Sequence, residues 1–331
     1  MFLHIMYNAA MSTASRIVRL LSCALVSAPL FAAASDCDRG CLKTTLDQYL
    51  AAVIKHDPTA APLFVGFRQT ENAVVVRPGT GVWKSVTGLG KVQRRYLDAV
   101  SGQAGYFGTV EEGSKLAIVT VRVRVENRKI TEAEWLMARD GDPGLNGPAT
   151  ATQRAGNFFE PDNLAAKPPP ERTVPKAERL SREALMAITN SYFDGLTGRD
   201  GSLIIAHPGC TRLENGNTVT GRAGRGGGKG QEAVSDCTSG LTNFSAMVAA
   251  RRYPVVDEEA QAVMSIGVFV RRPGATTRRN VFSEWFFIDN AKIRTIYSAM
   301  FYPAPDAFVP NWPPYDGNWP LPASLAPPPS K

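Results

Sequence analysis

Val125-Glu126-Asn127-Arg128-Lys129-Ile130 recurs 163 residues later as Ile288-Asp289-Asn290-Ala291-Lys292-Ile293. Each segment reads as a strand, a tight turn and a strand, because Asn tolerates the left-handed backbone that a two-residue hairpin needs. The incoming strand alternates strictly. Ala117, Val119, Val121, Val123 and Val125 share one face, while Arg122, Arg124 and Glu126 lie on the other. Further back, Glu71-Asn72 matches Glu214-Asn215 at an offset of 143, and the same offset places Tyr49 on Tyr192 and Asp57 on Asp200. The second copy therefore carries about 20 extra residues between the two anchors. A rival local register, Tyr106 with Tyr253 and Glu111-Glu112 with Glu258-Glu259, has an offset of 147 and stays open for that one strand.

Both tyrosines sit in amphipathic stripes. Leu42, Leu46, Tyr49, Leu50 and Val53 recur at helical spacing, and Leu185, Ile188, Tyr192, Phe193 and Leu196 do the same. Each unit is thus a helix, a hairpin around Glu-Asn, and several long antiparallel strands, an α+β pattern. Unit one is expected over 35–139 and unit two over 179–303. Between them, 140–178 is a linker by composition, with Gly141, Gly144, Gly147 and Pro168-Pro169-Pro170. The stretch 304–331 is a proline-rich tail.

The first 34 residues have the order of a signal peptide: Arg16 and Arg19, an apolar run from Leu20 to Phe31, then Ala32-Ala33-Ala34. Cleavage there lowers the formal charge from +7 to +5. Periplasmic or extracellular export is the expectation, with no membrane span in the mature chain. The remaining arginine doublets, Arg94-Arg95, Arg251-Arg252, Arg271-Arg272 and Arg278-Arg279, read as solvated surface. No aromatic-interleaved basic stripe points to nucleic acid. Four cysteines survive cleavage and permit three pairings. Cys37/Cys41 and Cys210/Cys237 is the pairing that keeps each bridge local. No metal site is expected, since only His56 and His207 remain and no CxxC accompanies them.

Cys37-Asp-Arg-Gly-Cys41, Tyr106-Phe-Gly-Thr-Val-Glu-Glu112, Arg212-Leu-Glu-Asn-Gly216 and Arg251-Arg-Tyr-Pro-Val-Val-Asp-Glu-Glu259 together span both units. With them the mature chain resembles exported tandem SnoaL-like, or nuclear transport factor 2-like, proteins of unassigned function. The resemblance implies two tandem cones, each a curved, mainly antiparallel sheet wrapped on a long helix, with a pocket at the open end. In the ketosteroid isomerases of that superfamily a helix tyrosine stabilises an oxyanion, and Tyr49 and Tyr192 fall at the matching place. The matching positions for the general-base aspartate hold Asn72 and Asn215, which take no proton at neutral pH.

Tyr49 and Tyr192 are accordingly candidate ligand donors, or core tyrosines with a satisfied hydroxyl. Glu284 shares an alternating face with Phe282, Phe286 and Ile288, as a pocket acid or as a carboxylate paired with an arginine. Arg212 and Glu214 point the same way on one strand, as ligand groups or as an ion pair. Asp257-Glu258-Glu259 reads as a solvated turn, and Gly221 to Gly230 as a flexible loop, because it lacks the phosphate-loop spacing.

The offset of 163 puts Val121 opposite Glu284 and Glu134 opposite Tyr297, so the copies do not share pocket chemistry, and the site is expected in unit two. Its candidates are Tyr192 and Glu284 for catalysis, and Tyr192, Asn215 and Arg212, with Tyr49 and Asn72 of unit one, for ligand binding. The expected function is binding of a small, largely apolar molecule without a cofactor. The alternative is a lyase, isomerase or hydrolase doing acid–base chemistry on a small apolar substrate.

Overall fold

Two six-stranded mixed sheets carry the chain, each preceded by one long helix. The structure, a computed structural model, describes residues 36–148, 156–221, 233–242, 244, 246–272, 274 and 277–304. The expected signal segment, the glycine-rich run beyond Gly221 and the tail beyond residue 304 lie outside the described residues.

The first unit runs α1 (Arg39–Ile54), β1 (Leu63–Glu71), β2 (Val74–Val76), α2 (Val82–Ser85), β3 (Gly88–Asp98), β4 (Gln103–Glu112), β5 (Lys115–Glu126) and β6 (Lys129–Arg139). After α3 (Pro161–Ala166) the second unit runs α4 (Arg182–Gly198), β7 (Ala206–Glu214), β8 (Asn217–Thr218), β9 (Ala246–Asp257), β10 (Ala262–Arg271), β11 (Asn280–Asp289) and β12 (Lys292–Phe301). The strand orders are β2-β1-β6-β5-β4-β3 and β8-β7-β12-β11-β10-β9, so the two units are similar. Among the described strands only β1–β6 and β7–β12 pair in parallel.

Both long helices start at a capping side chain. Asp38 accepts from the Cys41 N–H at 2.8 Å, and Ser181 from the Ala184 N–H at 3.3 Å. Both stop at a left-handed residue, His56 (φ 58°) and Arg199 (φ 57°). The two apolar stripes are buried, the first against Val119, Val121 and Val123 of β5 and the second against Phe282, Phe286 and Ile288 of β11. All four Asn turns have positive φ at both central residues, as the right-handed twist of a tight hairpin demands: Asn72-Ala73, Asn127-Arg128, Asn215-Gly216 and Asn290-Ala291.

Strand register supports the repeat residue by residue. Glu71 stands opposite Trp135 on β6, and Glu214 opposite Ser298 on β12, at the offsets of 143 and 163. The Asn72 Oδ1 accepts from the Met137 N–H and the Asn215 Oδ1 from the Met300 N–H, each at 2.8 Å. The offset of 147 fails. Tyr106 lies on β4, whereas Tyr253 lies on β9, the counterpart of β3. Asp98 and Asp257 end those two counterpart strands, facing Gln103 and Ala262, an offset of 159.

The outer faces of the sheets pack on one another through Tyr96, Phe107, Val255, Met264, Trp285 and Phe287. At Gly105 a Cβ would come within 2.5 Å of the Trp285 indole, so no side chain fits there. The contact is reciprocal. The Asp257 carboxylate accepts from Arg39 Nη1 at 2.8 Å and the Leu97 N–H at 2.7 Å, while Asp98 accepts from Arg182 Nη1 at 2.6 Å and the Val256 N–H at 2.9 Å. Asp257 therefore departs from the expected solvated turn: it is buried because it clasps the other unit. Arg252 also departs from a solvated surface, since it reaches Glu134 across the interface at 2.7 Å. The segment expected as a linker is docked at its proline run. The Pro168, Pro169 and Pro170 carbonyls accept from the Tyr297 hydroxyl, Arg94 Nε and the Tyr96 hydroxyl respectively.

Cys37–Cys41 and Cys210–Cys237 are disulfide-bonded, with Cα separations of 5.2 and 5.3 Å. Among the described residues no helix is long and apolar enough to cross a membrane.

Candidate functional site

In unit two the stripe of α4, strand β7 and the segment after β8 line a half-open cavity of about 220 Å³. Tyr192 and Leu196 come from α4, Arg212 and Glu214 from β7, and Phe269 from β10. The remaining wall, including Val219, Val234, Asp236, Cys237, Leu241 and Phe244, belongs to the stretch lengthened relative to unit one. The Cys210–Cys237 bridge ties that wall to β7. Replacing both cysteines with Ser should lower stability by about 3–4 kcal/mol in the chain-entropy account of a closed loop. A denaturant titration of the double variant, unchanged within 1 kcal/mol of the parent, would remove the bridge from this role.

Alternation on β7 explains why Arg212 and Glu214 share the cavity face. Arg212 Nε and Nη2 donate to Glu284 Oε1 at 3.2 and 2.5 Å, and Nη1 donates to Glu214 Oε1. Its Cζ stands 6.0 Å from the Tyr192 ring centroid. Burial opposes the charge on Arg212, but Glu214 and Glu284 outweigh it and hold the guanidinium firmly protonated. Glu284 is fully buried. Its burial pushes the carboxyl above the usual range, and Arg212 offsets only part of that rise. Glu284 Oε2 has no hydrogen-bond partner among the described residues. Burial likewise raises the Tyr192 phenol, which keeps it a neutral O–H at physiological pH.

The same positions of unit one are closed. The Tyr49 hydroxyl donates to Gln69 Oε1 and accepts from Trp135 Nε1, both at 2.8 Å. Trp83 of α2 fills the adjoining space. Its ring meets Tyr49 edge-on at 5.5 Å, and its Nε1–H donates to Gln69 Oε1 at 2.9 Å. The Val82 N–H next to it donates to Glu71 Oε2 at 3.1 Å. In unit two Arg212 stands for Gln69, Ser298 for Trp135, and the described residues between β8 and β9 for the α2 segment. The Tyr192 hydroxyl consequently has no hydrogen-bond partner among the described residues and stands at the cavity wall.

The predicted site residues therefore divide. Tyr192, Arg212 and Glu214 line one cavity, and Glu284 is tied to it through Arg212. Asn215 and Asn72 are spent on their own hairpins, and Tyr49 on a closed network of side chains. Trp83 carries no signal in the sequence, because a helix of four residues has no periodicity to read. Among the described residues no three His, Cys, Asp or Glu side chains converge as a metal ion requires.

A family described as "Domain of unknown function (DUF8021)" matches residues 178–300, which is unit two. No curated protein matches the chain.

Proposed function

We propose that the chain is an exported small-molecule-binding protein, and that ligand sits in the unit-two cavity against Tyr192, Arg212 and Glu214. The observation that carries the proposal is the Tyr192 hydroxyl. That phenol walls the cavity with no partner from the described residues, so its O–H is free to donate to whatever fills the space. Its counterpart Tyr49 has two partners from its own chain. The helix stripe packed on the sheet is compatible with a SnoaL-like cone whose pocket opens beside that tyrosine. Export is supported by the charged, apolar and small-residue order of 1–34 and by the two disulfides.

Acid–base catalysis by Tyr192 and Glu284 is the weaker reading. Glu284 does not line the cavity, and Arg212 occupies one of its two oxygens. Binding requires only the donor and the cavity.

Tyr192→Phe tests the proposal, because the hydroxyl contributes nothing visible to the fold. Affinity for the natively carried molecule should fall by about tenfold, the order of one hydrogen bond, while the melting temperature stays within about 1 °C. Unchanged affinity would remove Tyr192 from the site.

A further inference from the structure

Unit one answers a question that unit two leaves open, namely what shape and chemistry fit against this tyrosine, this strand residue and this glutamate. There the occupant is part of the chain itself. It is the Trp83 indole, wholly buried, edge-on to Tyr49, with an N–H aimed at Gln69. Beside it a second N–H, from Val82, reaches Glu71 Oε2. The plug thus offers a flat bicyclic ring and two donors, and offers no acceptor to either polar side chain.

In unit two the same three positions hold Tyr192, Arg212 and Glu214, and no described residue plugs the space beside them. Glu214 keeps the role of Glu71, with Oε1 taken by Arg212 and no partner for Oε2 among the described residues. The charges around the cavity favour a donor as well. Glu214 and Asp236 both line it, and the Thr238 hydroxyl and N–H hold Asp236 below the usual carboxylate range against the effect of its burial. Among the described lining residues the one cation, Arg212, is already shared between Glu214 and Glu284. An anionic ligand would meet two carboxylates and an arginine whose charge is already matched; an ammonium would meet the reverse. Leu196, Val219, Leu241, Phe244 and Phe269 supply apolar wall, beside Thr220 and Ser239. Phe244 and Phe269 meet edge-to-face at 5.6 Å, a surface suited to a ring.

We infer that the unit-two cavity takes a planar aromatic molecule of about indole size that carries an N–H donor or an ammonium, in the manner in which unit one holds Trp83. The ring lies against Tyr192, Phe244 and Phe269, the donor meets Glu214 Oε2, and the Tyr192 hydroxyl meets whatever polar atom the ring presents. Carboxylates and phosphates of the same size are disfavoured by the carboxylates of the described wall. This rests on the cavity being the ligand site, as proposed above.

Three probes with one ring system test the inference by calorimetry on the full mature chain with its disulfides intact: indole, tryptamine and indole-3-acetate. Tryptamine should bind best, and indole-3-acetate should be weaker than tryptamine by roughly tenfold to a hundredfold, the range of a charge-assisted hydrogen bond gained or lost. Glu214→Gln should bring tryptamine level with indole. Val219→Trp, which places an indole in the cavity from its own wall, should abolish binding of all three. Indole-3-acetate binding as tightly as tryptamine would overturn the inference. So would failure of all three probes while Val219→Trp still displaces a natively carried molecule, an outcome that keeps the site and rejects the ligand class. Failure of all three with no natively carried molecule in either protein would overturn both the class and the site.

Discussion

Arg122→Met is expected to cost about 3–5 kcal/mol at neutral pH, because it strands carboxylates in the interior. Arg122 is fully buried on β5, on the face that packs against the other sheet. Its Nε donates to Glu134 at 2.6 Å, Nη2 to Glu132 at 2.8 Å and Nη1 to Gln103 at 2.7 Å. Burial pushes Glu132 and Glu134 upward, but Arg122 outweighs it, with help from Arg68 and Arg252, and holds both below the usual range. A depressed folded pKa gives stability that is present above the unfolded value, about 4.3 for Glu, and lost as pH falls through the folded value. The parent should therefore lose stability below about pH 4. The variant should behave differently. Without Arg122 the two carboxyls rise, so much of the penalty should be relieved as pH is lowered from 7 towards 5. Urea titrations at the two pH values test this. A cost below 1 kcal/mol at pH 7 would show that Arg68 and Arg252 suffice without Arg122.

Arg212→Met should be comparably damaging, about 3–5 kcal/mol at pH 7, since Glu284 would be left buried with neither oxygen paired. Here the sign differs from the Arg122 cluster already in the parent. Glu284 has a raised folded pKa, so its contribution is fully present below the unfolded pKa and is lost as pH rises through the folded one. Removing Arg212 raises that pKa further and widens the window in which the ionised form is penalised. The double variant Arg212→Met with Glu284→Gln should recover most of the loss, because the stranded charge goes with it. If the double variant is no more stable than the single one, the damage comes from packing around Tyr192 and not from the carboxylate.

Much of the architecture was legible because it is local. The stripes through Tyr49 and Tyr192 follow helical periodicity, and the four Asn turns follow the left-handed backbone of a tight hairpin. Keeping the disulfides local sufficed to pair the cysteines. The packing of sheet on sheet was not legible. The polar face of β5, with Arg122 on it, looks like a solvent face in alternation, and only the second sheet makes it interior. The same holds for Asp257, whose partners Arg39 and Leu97 lie 218 and 160 residues away. Similar Glu-Glu pairs close the β4–β5 and β9–β10 turns, and that likeness produced the false offset of 147.

At the site, sequence placed Tyr192, Arg212 and Glu284 in one unit but assigned Asn215 and Asn72 to ligand. Their side chains are consumed by the Met300 and Met137 N–H groups. The difference that opens unit two, Trp135 replaced by Ser298 and the Trp83 helix by a longer stretch, becomes visible only when the two registers are laid side by side.

Native mass spectrometry of the protein and of Val219→Trp, both purified from the native compartment, tests the central claim most directly. A small molecule should accompany the parent and be absent from the variant, in which a tryptophan side chain fills the cavity beside Tyr192. The same adduct on both proteins, or none on either, would contradict a ligand site in unit two.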